Sequence, residues 1–91
     1  EDYSKAIELN PYNALAYSNR GNSKDAIKQY NSALVDHSEA IKLNPNNPLF
    51  YNNRAASRYN SNDLIGACND MRKAVSLGEP GAADLIRQIC E

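Results

Sequence analysis

The phrase AIELNP at residues 6–11 returns as AIKLNP at residues 40–45, an offset of 34 positions. Shifting the whole chain against itself by that offset makes 17 of the 57 overlapping pairs identical. Beyond the phrase, Asn13, Leu15, Tyr17, Asn19 and Arg20 fall on Asn47, Leu49, Tyr51, Asn53 and Arg54. Further on, Ala33, Asp36, Ala40 and Leu43 fall on Ala67, Asp70, Ala74 and Leu77. A repeat of this period constrains the fold more than composition does. Each copy is one supersecondary unit that cannot bury its apolar face alone, so the copies must stack.

The residue types within a copy suit closely packed helices. Small side chains at Gly21, Ala33, Ala40, Ala55, Ala67 and Ala74 let helix axes approach, while Tyr17, Leu34, Ile41, Leu43, Tyr51 and Leu77 fill the space around them. Asn13 precedes the apolar run ALAY, and Asn47 stands before Pro48, which puts a capping side chain ahead of a first-turn proline. Gly78, followed by Pro80, stops the second copy. Residues 82–90 then carry Leu85, Ile86 and Ile89 as one apolar stripe, as expected of a helix that covers the open end of a stack.

These features together resemble the tetratricopeptide repeat, a helix-turn-helix unit of about 34 residues. The first copy has the family's aromatic at Tyr17, its small residues at Gly21, Ala33 and Ala40, and its closing proline at Pro45. The second copy has Tyr51, Ala55, Ala67 and Ala74, with Glu79 in the proline's place and Pro80 one step later. His37 and Met71 depart from the family by standing where a second-helix aromatic is usual, and Lys24 and Arg58 replace a usual tyrosine. The resemblance implies an all-α fold, a short right-handed α-solenoid. It divides the chain into a second-helix remnant of a preceding repeat (1–11), two full repeats (14–47 and 48–81) and a capping helix (82–91). A chain beginning in mid-repeat also raises the expectation of a longer array.

One corner of that scheme is open on the sequence. In the second copy YNSND (59–63) offers turn and capping residues, whereas the equivalent DAIKQ (25–29) has none. Ile27, Leu34 and Ile41 recur every seven residues across it. Two architectures follow: an ordinary hairpin, or a fused long helix over 14–43 whose apolar faces meet those of a second chain, giving a homodimer by helix swapping.

Composition narrows the function. The net charge is −1 with no Lys/Arg run, so the electrostatic footprint of a nucleic-acid or anionic-membrane binder is missing. No apolar run approaches the length of a membrane span, and residues 1–11 lack the pattern of a signal peptide. Cys68, Cys90 and His37 do not have metal-ligand spacing, and the cysteines read as inert thiols of a reducing, cytoplasmic setting with nothing to favour a disulfide. No glycine-rich phosphate loop, nucleophile elbow or paired carboxylates appear, so neither an enzyme nor a cofactor is expected. Asp36 and Asp70 read as solvated or ion-paired, and His37 as a packed, hydrogen-bonded imidazole.

Binding is the better reading. In the resembled family, first helices line a concave groove for peptides or partner helices. The corresponding positions off the apolar stripe include Asn19, Asn22, Asn52, Asn53 and Tyr59, and side-chain amides both donate to and accept from a peptide backbone. These five are the expected peptide-binding residues of a protein-interaction scaffold. A narrower alternative is a cochaperone-like clamp for the C-terminal carboxylate of a heat-shock chaperone. Asn22 and Asn53 match its asparagines, but Ser18, Ala83 and Arg87 leave the basic set incomplete. An alternative of another class is a non-catalytic regulatory or oligomerisation segment of a larger enzyme.

Overall fold

Asn13, Asn47 and Asp63 decide where three helices begin. In the computed structural model, which describes residues 3–91, the Asn13 side chain accepts from the Ala16 N–H at 3.1 Å, Asn47 from Leu49 at 3.0 Å and Asp63 from Gly66 at 2.9 Å. Each satisfies a helix N–H that has no partner within the helix. Six helices result: α1 (Tyr3–Leu9), α2 (Ala14–Ala26), α3 (Tyr30–Leu43), α4 (Pro48–Asn60), α5 (Leu64–Ser76) and α6 (Ala82–Ile89). The first two residues of the expected leading helix lie outside the described residues.

Helices α2 and α3 form one hairpin and α4 and α5 the next, with α3 packed on α4, α1 on α2 and α6 on α5. The small residues sit where helices touch: Ala33, Ala40, Ala67 and Ala74 are 0% exposed. Gly21 shows why the position must be small. A Cβ there would lie 2.6 Å from Cε1 of the His37 ring, so the imidazole occupies the space that a side chain on α2 would need. One continuous core joins Ala55 of α4, Ala67, Cys68 and Met71 of α5, and Ala82 and Ile86 of α6. No helix among the described residues is long and apolar enough to cross a membrane.

The fused helix is not formed. Helix α2 ends at Ala26 and the chain turns through Lys28, a non-glycine residue at φ 65°. The Gln29 N–H reaches back to the Lys24 carbonyl (2.9 Å) and the Lys28 N–H to Asp25 (2.9 Å), the paired bonds of a Schellman ending. Asn62 in the second hairpin has φ 71° and the same two bonds, Asp63 to Arg58 and Asn62 to Tyr59. Glycine closes the third such ending, at Gly78 with φ 105°. The sequence signal misled because a turn of this kind needs one residue in the left-handed region, at a cost of about 1–2 kcal/mol for a residue with a Cβ. Two backbone hydrogen bonds and the burial of α2 against α3 offset that cost. Ile27, the first residue of the apparent stripe, is 65% exposed on the corner. With α2 and α3 packed within one chain, the helix swap loses the apolar faces that were to drive it.

The cysteines also depart from expectation. Helix α6 folds back on α5 and Cys68 is joined to Cys90 by a disulfide, with Cα atoms 5.9 Å apart. The sequence gives only a separation of 22 residues. The proximity comes from the docking of α6 on α5, which the apolar stripe of 82–90 leads one to expect, whereas nothing in the sequence favours the bond itself.

Candidate peptide-binding groove

Helix α6 stands one period after α4, Ala82 following Pro48 by 34 residues, and therefore takes the place of a first helix in a further copy. Between α4 and α6 lies a groove of about 620 Å³. Ala55, Met71 and Leu85 give it an apolar lining, and Asn52, Tyr59, Asn60 and Gln88 contribute side chains that donate and accept hydrogen bonds. Such a mix of apolar surface and a few polar groups is what small pockets for side chains use.

Of the five residues expected from the sequence, the structure brings two together in this groove. Asn52 and Tyr59 line the groove. Asn53 turns away from it: its Nδ2 donates to Ser18 Oγ at 2.8 Å, stitching α4 to α2, and Ser18 is 1% exposed. Asn19 is half-buried and Asn22 exposed, both on α2 and outside the groove lining. Leu85, Gln88 and Glu79 also line the groove and are not among the expected contacts. The repeat phase aligns the last helix with a further first helix only for the clamp positions Ala83 and Arg87, and otherwise gives it the part of a cover.

The cations of the first helices are consumed by buried carboxylates. Arg20 donates to both oxygens of Asp36 at 2.8 Å, and Lys24 adds a contact at 2.9 Å. One period on, Arg54 donates to both oxygens of Asp70 at 2.9 and 2.8 Å, and Arg58 adds one at 2.9 Å. Each arginine also reaches the preceding element, Arg20 to Ser4 and Arg54 to Ser38, both at 3.2 Å. Burial pushes the Asp36 carboxyl up, but hydrogen bonds and charge from Arg20 and Lys24 outweigh it and hold the group below the ordinary 3.8. The hydrogen bonds from Arg20 to Asp36 and from Arg54 to Asp70 raise both guanidinium values. Lys24 and Arg58, the departures from the family's tyrosine, are thus the second donors of each carboxylate. The groove itself holds no cation, and its single charged lining residue is Glu79.

A second polar cluster joins three helices. Asp25 accepts from Ser57 Oγ at 2.6 Å and lies 3.0 Å from His37 Nε2. Ser57 and His37 are both wholly buried, and the serine hydroxyl donates to the carboxylate rather than to the imidazole, so this is not the geometry of an activated nucleophile. The cluster fastens α2 and α3 to α4. No group of three or more His, Cys, Asp or Glu side chains converges among the described residues as a metal site would require. At the clamp-like positions, Ser18 and Asn53 bond each other, Ala83 is half-buried, and Arg87 pairs with Asp84.

Stacked helical hairpins with a groove beside the last pair define a helical-repeat solenoid, a class of protein-interaction scaffolds. The fold is that of the tetratricopeptide repeat family: the family model "Tetratricopeptide repeat" matches residues 14–47, the first full hairpin. Among solved structures, the first tetratricopeptide domain of Spaghetti (RPAP3) bound to the HSP90 peptide SRMEEVD superimposes with a TM-score of 0.90 at 27% identity, over 97% of this chain and 71% of that one. The first such domain of human RPAP3, solved by NMR, gives the same values. The N-terminal domain of stress-induced protein-1 (STI-1) from C. elegans, 18% identical with a TM-score of 0.87 over 98% of this chain and 76% of that one, shares the fold. No curated protein sequence matches the chain.

Proposed function

We propose that the chain binds an extended peptide or partner helix in the groove between α4 and α6, and that it does no chemistry of its own. The observation that carries this is the groove: about 620 Å³ of mainly apolar surface with Asn52, Tyr59 and Gln88 on its walls. Burying an apolar anchor supplies affinity, and the amides and phenol hold the backbone beside it. The test is to select heptapeptides by display on the purified chain, then titrate a selected peptide against wild type and Asn52→Ala/Tyr59→Ala by calorimetry. The double substitution is expected to weaken binding by about tenfold or more while leaving helicity unchanged. Unaltered affinity would move the ligand to another face, where Asn19 and Asn22 on α2 are the remaining expected contacts.

The second reading, capture of an acidic chaperone tail, is favoured by one observation: a structure 27% identical to this chain holds the peptide SRMEEVD. Against it stand the mutual bond of Ser18 and Asn53 and a groove whose one charge is negative. A neutral or basic peptide with a bulky apolar residue is the better match. Titration with SRMEEVD separates the two, tight binding favouring the clamp. Action in the cytoplasm belongs to the same proposal. There the Cys68–Cys90 bond would face thiol reductants, and alkylation of freshly lysed cells, followed by mass spectrometry, reads its state.

A further inference from the structure

The groove's two walls are held in different ways. Helix α4 is tied to its neighbours by Arg54 and Arg58 on Asp70, by Asn53 on Ser18 and by Ser57 on Asp25. Helix α6 has no such tie: among the described residues its side-chain ion pair is internal, Arg87 with Asp84, and no side-chain hydrogen bond joins it to α2–α5. It spans eight residues, too few to be stable as an isolated helix. Its attachment consists of the apolar contact of Ala82, Ile86 and Ile89 with the α4–α5 core, and of the disulfide at its far end. The short connection from α5 holds the N-terminal end and Cys90 the C-terminal end. Cleaving the disulfide therefore removes the covalent cross-link between α6 and α5 and leaves, among the described residues, the apolar contact and the connection from α5.

Cys68 is buried and Cys90 half-buried, and both border a cavity. A smaller cavity of about 190 Å³ is lined by Cys68, Cys90, Ile89, Asn69 and Arg72. Its walls include both bonded cysteines, and Arg72 supplies positive charge to an approaching thiolate.

We propose that the Cys68–Cys90 disulfide is a redox latch on the groove: oxidised, it holds α6 in place as a wall, and reduced, it releases α6 and dismantles the binding surface. This rests on the reading of the α4–α6 groove as the peptide site. The reductant is a dithiol. One of its thiolates attacks a sulfur of the bond and the S–S bond breaks. The displaced cysteine thiolate takes up a proton, and the second thiol of the reductant resolves the mixed disulfide. The products are two cysteine thiols and one oxidised dithiol. Coupling to binding follows from population: a ligand that needs α6 docked binds more weakly in proportion to the fraction of time the helix is away.

The experiment is amide hydrogen exchange on the purified chain, oxidised and then reduced with dithiothreitol, with Cys68→Ser/Cys90→Ser as a permanently open form. The latch predicts exchange in residues 82–89 about tenfold faster or more on reduction, with α2–α4 unchanged. It also predicts a shifted methyl resonance for Met71, the chain's single methionine, which lines the groove. The double serine variant is expected to match the reduced chain and to ignore dithiothreitol. Equal exchange of α6 in both redox states overturns the latch, as does acceleration throughout all helices, which would make the bond a general stabiliser. A peptide selected on the oxidised chain is expected to bind the reduced chain about tenfold more weakly. If no peptide binds even the oxidised chain, the groove reading fails, and hydrogen exchange still decides the latch.

Discussion

Gly21 and His37 illustrate what a single position decides. The sequence marks Gly21 as small and His37 as an aromatic replacement, but not that the two occupy each other's space. Gly21→Ala would set a methyl 2.6 Å from the imidazole, and the expected loss is about 1–3 kcal/mol in urea unfolding. Asp36 makes a second prediction. Its carboxyl is held below its ordinary 3.8 by Arg20 and Lys24, so its contribution is fully present above that value and is lost as the pH falls through the depressed folded value. Stability is expected to be level above about pH 5 and to drop below about pH 4, and Asp36→Asn should flatten this part of the acid limb. The same variant costs about 3 kcal/mol at neutral pH, because Arg20 and Lys24 are left without the carboxylate. The pairing of Asp36 with Arg20 and Lys24 was only half legible. The repeat shows Arg20, Asp36, Arg54 and Asp70 in register, but it does not show that each pair spans a hairpin, 16 residues apart.

Helix boundaries read well where a side chain caps and poorly where the backbone alone turns. Asn13 and Asn47 were recognisable because an N-cap is a residue type at a place. The corner at Lys28 was not, because a Schellman ending recruits main-chain groups that every residue has. Lys28→Gly is expected to raise stability by about 0.5–1 kcal/mol, since glycine enters φ 65° without the Cβ penalty. The midpoint of urea unfolding checks it, and no change or a loss would mean the lysine stem makes up the difference by packing. The four expected asparagines are also separated at this scale. Helical phase places Asn52 and Asn53 side by side in sequence, yet one faces the groove and the other is taken by Ser18.

With both hairpins closed inside one chain, the radius of gyration over Cα atoms is 12.8 Å, close to the roughly 12 Å of a compact chain this long. Sedimentation equilibrium is therefore expected to give the monomer mass, and a dimer would require a surface other than the α2–α3 faces. The arginine rungs bear on how this object comes apart. Arg54 holds Asp70 within its own hairpin and Ser38 in the one before, as Arg20 holds Asp36 and Ser4. In a linear array, stability divides into what each unit has alone and what it shares with its neighbour. Both rungs contribute to the shared part. Arg54→Ala is expected to broaden thermal melting or split it into two steps, whereas an equally destabilising core substitution inside one hairpin would lower a single sharp step. In the vocabulary of one-dimensional phase behaviour, the two guanidinium groups lengthen the correlation along the chain, adding to the coupling that α3–α4 packing and the Asn53–Ser18 and Ser57–Asp25 bonds supply.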